Sequence, residues 1–167
     1  MRILVTVASR HGATAEIGEK IGSILRDAGH DVVVEPPQAV AALDGFDAVV
    51  LGSAVYAGRW IDDARRFAER HHAGLRDRPL WLFSSGPIGT PLAPTEESRD
   101  GVRVASELGA REHRTFAGRL DPSTLTWVER TVTRMVKAPD GDFRDWSAVV
   151  AWGREIADSL TAEAVPT

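Results

Sequence analysis

A chain of 167 residues suits one compact domain with a core large enough to need no staples. Its 43% hydrophobic and 26% charged residues exclude disorder, and a formal charge of -4 excludes a generally basic surface for nucleic acid. With no cysteine, disulfides, thiolate catalysis, Cys-ligated zinc and iron–sulfur clusters are excluded as well. The opening stretch MRILVTVAS carries too short an apolar run for an export signal, and no segment approaches the ~18 apolar residues of a membrane span, so a cytoplasmic protein is expected. In chain order, residues 2–8 form a short β-branched run before a Gly-containing turn and predict a buried strand. Ile17, Ile21, Ile24 and Leu25 recur at helical spacing and predict a helix over Thr14–Ala28, closed by Gly29. Asp31–Glu35 reads as a second strand, stopped by Pro36 and Pro37. Asp47–Gly52 is a third strand, followed by a loop over Ser53–Gly58 and a helix from about Trp60 to His72. The positive form of His71 and His72 would suit that helix end. Pro79–Ser84 is a fourth strand, and a long loop runs from Ser85 to about Glu97. A short helix near Arg99–Leu108 precedes a fifth strand around His113–Leu120. The last helix runs from about Trp146 to Leu160, with Asp145 as its N-cap. Residues 1–162 are expected to form the single domain and 163–167 a frayed tail.

Strict alternation of near-continuous apolar strands with helices implies an α/β fold, a parallel sheet covered on both faces. Five strands joined by right-handed crossovers suggest the doubly wound order 2-1-3-4-5. One segment exceeds that minimal plan, an insertion over Asp121–Arg144 before the last helix. Within it Trp127, Val128, Thr131, Val132, Met135 and Val136 fall on one side of a helical pattern, and Glu129, Arg130, Arg134 and Lys137 mostly on the other. A connection this long is uncommon without a function. One reading packs it as a helix on the domain edge. The other uses its apolar strip and local positive charge to meet an anionic, hydrophobic partner or a lipid surface.

In such a sheet ligands bind beyond the carboxyl ends of the strands, at the switch point between strands one and three. The loops after strands one, three and four meet there, and all are rich in Gly and Ser or Thr: Ser9–Thr14, Gly52–Gly58 and Ser84–Thr90. In the first, Ser9 and Thr14 offer hydroxyls, Gly12 permits a close turn, and the helix start favours an anion such as phosphate. In the second, Tyr56 could cover a planar ring, while Trp60 reads as a packing residue. In the third, the glycines expose backbone N–H groups that suit the polar edge of a heterocycle. Each loop could also be an ordinary turn.

Several alternatives are excluded. No G-x-x-x-x-G-K-[ST] and no G-x-G-x-x-G occur, which disfavours nucleoside triphosphates and dinucleotides. No G-x-S-x-G elbow marks a hydrolase. The five histidines, at 11, 30, 71, 72 and 113, show no ligand pair at helical spacing, so no metal site is expected. A phosphate-accepting receiver would need an aspartate after strand three, where this chain has Gly52-Ser53.

These loops resemble those of the flavodoxin-like family, which binds FMN. Ser9, Gly12 and Thr14 match its first-loop pattern, and His11 stands where many members carry threonine. The stretches Ala8–Thr14, Gly52–Trp60, Trp127 and Phe143–Ala157 are similar to the menaquinone-dependent protoporphyrinogen IX dehydrogenase branch, a long-chain form with its insertion before the last helix. The resemblance implies that Ser9, Arg10, His11, Gly12, Ala13 and Thr14 cradle the phosphate. It implies that Ser53, Ala54, Tyr56 and Gly58 flank the isoalloxazine, and that Ser85, Gly86, Pro87 and Gly89 border its pyrimidine edge. Trp127, Arg130 and Arg134 become candidates for a porphyrinogen- or quinone-class substrate and for peripheral contact with the inner face of the membrane. No catalytic side chain is nominated, because the flavin carries the chemistry. The implied activity is an FMN-dependent oxidoreductase with a quinone-type acceptor. The alternatives are a flavodoxin electron carrier without its own turnover and a flavin-free binding module on the same scaffold.

Overall fold

The structure is a computed structural model that describes residues 1–56, 58–86, 98–120 and 141–164. Strands β1 (Arg2–Ala8), β2 (Asp31–Glu35), β3 (Ala48–Tyr56), β5 (Leu80–Gly86) and β6 (Glu112–Ala117) form a parallel sheet in the order β2-β1-β3-β5-β6. This is the expected 2-1-3-4-5 order of the five main strands. Strand β4 (Arg59–Trp60) folds back antiparallel on β3, and β7 (Arg119–Leu120) pairs with β8 (Gly141–Asp142) in a separate two-stranded ribbon.

Strand alternation sorts the core into two layers. Ile3, Val5 and Val7 of β1, Val50 of β3, and Trp81 and Phe83 of β5 point to one face. There they meet Ile17, Ile21 and Leu25 of α1 (Ala13–Asp27) and Val149, Trp152, Ile156 and Leu160 of α5 (Trp146–Ala164). Leu4, Val49, Leu51, Leu80 and Leu82 point to the other face. That face is covered by α2 (Asp62–Arg70), α3 (His72–Arg76) and α4 (Arg99–Leu108), through Ala64, Phe67, Leu75, Val104 and Leu108. Near-continuous apolar strands are thus buried on both sides, as a parallel sheet requires. Asp145 caps α5, its Oδ1 accepting from the N–H groups of Ser147 and Ala148 at 3.0 and 3.1 Å.

The elements differ from the sequence expectations at four places. Strand β3 runs on through Ser53–Tyr56, where a loop was expected, because Ser53 and Ala54 pair with Ser84 and Ser85 of β5. The helix expected to reach His72 starts at Asp62 and breaks at His71. His71 leans on Phe67 with ring centroids 4.7 Å apart, and burial, helped by the Arg70 charge, holds its pKa below the ordinary value. This favours the neutral ring, not the cation expected at a helix end. The fifth strand divides at Gly118, so that Arg119 and Leu120 leave the sheet for the ribbon. Finally, α5 continues to Ala164, past its expected end near Leu160, and Glu163 pairs with Arg111 there.

Candidate functional site

The carboxyl ends of β1, β3 and β5 open into one cleft. The loop after β1 contributes Ser9, His11, Ala13 and Thr14. The end of β3 contributes Ala54, Val55 and Tyr56, and β5 contributes Ser85 and Gly86. Gly118 and Arg119, just past β6, complete the wall.

The first loop has a geometry suited to an anion. Gly12 takes φ 83°, a left-handed conformation that side-chain-bearing residues rarely adopt, and so turns the chain directly into α1. Its N–H donates to Ser9 Oγ at 3.1 Å, closing the loop. No side chain caps α1 among the described residues, which leaves its first-turn amides and the positive end of the helix dipole facing the cleft. Thr14 is buried in that first turn.

The second loop supplies the aromatic surface. The Arg10 guanidinium carbon lies 5.0 Å from the centroid of the Tyr56 ring, and the His11 ring meets Tyr56 edge-on at 6.5 Å. Ser53 does different work. Its hydroxyl donates to Ala54 O at 2.8 Å and accepts from the Ile61 N–H at 3.2 Å, so the side chain ties the β3–β4 hairpin instead of lining the cleft. Gly58, at φ 75°, makes that hairpin turn. Trp60 is buried, as expected of a packing residue, and its indole N–H donates to Ser84 Oγ at 2.8 Å.

The third wall contains Ser85, 2% exposed, whose Oγ has no hydrogen-bond partner among the described residues. A buried hydroxyl without a partner costs stability unless a ligand supplies one. Pro87 and Gly89 of this loop, and Trp127, Arg130 and Arg134 of the insertion, lie outside the described residues.

Sequence reading missed Val55, Gly118, Arg119 and Arg144. Arg144 has a side chain only 3% exposed. Its Nε and Nη2 donate to Asp142 at 2.8 and 2.7 Å, and its Nη1 donates to Ala13 O at 3.0 Å and Glu16 Oε2 at 2.7 Å. One guanidinium therefore fastens the β7–β8 ribbon to the first turn of α1, beneath the first loop. Its hydrogen bonds push the Asp142 pKa down to about 2. The folded value lies below the ordinary one, so this pair contributes stability fully above about pH 4 and loses it as pH falls through about 2. Arg144→Met is expected to cost about 2 kcal/mol at neutral pH, because both acids reach solvent and stay hydrated. Acid titration followed by circular dichroism checks this. The gap between native chain and variant should narrow on acidification to the part carried by the bond to Ala13 O, and a gap unchanged between pH 7 and pH 2 would contradict the assignment.

Comparison with known proteins agrees with this geometry. The family model for the flavodoxin domain matches residues 4–147. The protoporphyrinogen IX dehydrogenase (quinone) of Escherichia coli strain K12 is 24% identical over 176 aligned residues, spanning 94% of this chain and 95% of that protein. An archaeal flavodoxin superposes with a TM-score of 0.65 at 16% identity, over 96% of this chain and 99% of that one. The flavodoxin of Streptococcus pneumoniae TIGR4 gives 0.63 at 20% identity, over 98% and 100% of the two chains. FMN fits the residues present: its phosphate suits the uncapped α1 start, its ring the Tyr56 face, and its polar edge the unpartnered Ser85 hydroxyl. The match over residues 4–147 makes this chain a member of the flavodoxin domain family, whose cofactor is FMN.

Proposed function

We propose that this flavodoxin-domain protein is an FMN-dependent oxidoreductase that takes electrons from a reduced organic substrate and passes them to a quinone-type acceptor. The observation that carries this reading is the alignment with a quinone-linked protoporphyrinogen dehydrogenase along nearly the whole of both chains. When bound, FMN supplies reversible electron uptake and release. The chain's own residues bind and orient it. Ser9, Thr14 and the amides that follow Gly12 would hold the phosphate. Tyr56, backed by Arg10, would cover one ring face, and Ser85 with the Gly86 backbone would meet the polar edge. Trp127, Arg130 and Arg134 are proposed to receive an anionic, hydrophobic substrate or the membrane surface where a quinone resides. No helix among the described residues is long and apolar enough to cross a membrane, so that contact would be peripheral.

A second reading, an electron carrier without its own turnover, is favoured by the flavodoxins among the similar structures. One experiment separates the two. The purified protein is titrated with FMN, following fluorescence quenching and the visible spectrum, and is then given protoporphyrinogen and a menaquinone analogue. Quenching at micromolar FMN with porphyrinogen-dependent quinone reduction is the expected result. Binding without any flavin-dependent quinone reduction would leave the carrier reading alone.

A further inference from the structure

We infer that Arg119 supplies the positive charge that faces the flavin in this cleft and raises its reduction potential; the inference rests on FMN occupying the cleft as proposed above. No carboxylate occurs among the described residues lining the cleft, and Arg119 is the one guanidinium among them. Its place is fixed by the residue before it. The Gly118 N–H donates to Gly86 O at 2.7 Å, bringing the tips of β5 and β6 together, so the next residue emerges at the cleft wall. Two carboxylates could neutralise Arg119. Asp142 stands opposite it in the ribbon, and Glu16 lies one turn into α1. Arg144 engages both, with bonds of 2.7–2.8 Å to Asp142 and 2.7 Å to Glu16. Among the described residues Arg119 makes a longer, partly exposed pairing of 3.5 Å with Glu16, and its charge also acts on Asp142. Arg144 is thus a positioning residue: it holds both acids outside the cleft lining, so that within this four-group cluster Arg119 is the charge nearest the flavin.

The chemistry gives that charge a consequence. Uptake of two electrons and one proton adds one negative charge to the flavin. A cation close by in a partly desolvated cleft favours the charged, reduced form over the oxidised one. A cleft so charged suits a flavin that accepts electrons from an organic substrate better than one that donates them at low potential.

The test compares FMN affinity, riboflavin affinity and the two-electron midpoint potential in the native chain, Arg119→Gln, Arg119→Lys and Glu16→Gln. Arg119→Gln should shift the reduction equilibrium about tenfold towards the oxidised flavin, about 30 mV for a two-electron couple. Arg119→Lys should restore most of that shift. Glu16→Gln, on the exposed side of α1, should move the potential the other way, and Arg119→Met, which keeps the apolar stem, answers the question if Arg119→Gln folds poorly. An FMN-loaded Arg119→Gln with unchanged potential would overturn the inference. So would a loss of FMN affinity with riboflavin affinity and potential untouched, since the charge would then serve the phosphate. If the native chain does not quench FMN at all, the FMN reading falls and this inference falls with it.

Discussion

Trp152→Ala is expected to lower the unfolding free energy of the apoprotein by about 3–5 kcal/mol, the range for removing a large aromatic from a packed core. Trp152 is fully buried where α5 crosses the sheet. It meets Phe83 of β5 edge-on at 6.1 Å and Phe116 of β6 at 5.6 Å, and its indole N–H donates to Glu112 Oε2 at 2.7 Å. Alanine would therefore open a cavity beneath both strands and also remove a hydrogen bond to the part-exposed Glu112 carboxylate. Trp152→Phe separates these effects, since it keeps most of the apolar volume and loses only the hydrogen bond, at about 1–2 kcal/mol. Denaturant unfolding followed by far-ultraviolet circular dichroism measures both. If alanine cost less than the phenylalanine variant, the indole could not be the part that locks α5 to the sheet.

What the sequence revealed and what it hid follow the range of the interactions. Strands β1, β2 and β5 and helix α1 were legible because their signals are local: apolar runs, helical spacing, and a Gly or Pro at the ends. The turn from β1 into α1, where we propose the phosphate sits, was legible for the same reason, since Ser9, Gly12 and Thr14 lie close together in sequence. The extension of β3 through Tyr56 was not. Ser53 and Ala54 read as loop residues, and only pairing with β5 makes them strand. His71 read as a charge for a helix end because sequence spacing does not show that its ring packs on Phe67. Arg144 and Glu16 lie 128 residues apart in sequence, so no window contains their contact. Gly118 did leave a local trace, a lone glycine inside an expected strand, which commonly marks a break or a close backbone approach.

That glycine is where fold and site can be separated by experiment. A β-carbon at Gly118 would stand 2.7 Å from the carbonyl oxygen of Gly86 and 2.8 Å from its carbonyl carbon. Both are backbone atoms, so no flexible side chain can swing aside. Gly118→Ala must therefore part the tips of β5 and β6, displacing Gly86 on one side of the cleft and Arg119 on the other. The stability cost of such overpacking is about 1–3 kcal/mol. The loss of FMN affinity should be at least about tenfold, or about 1.4 kcal/mol, because two walls of the cofactor site move together. Trp152→Phe is the matched control: it weakens the fold by a similar amount without altering the Gly86–Gly118 contact or any cleft-lining residue, and should bind FMN as the native chain does. Fluorescence titration of the two variants decides the matter. Equal affinities would mean that the β5–β6 contact serves the sheet alone, whereas a loss confined to Gly118→Ala ties cofactor affinity to the one point where these two backbones touch.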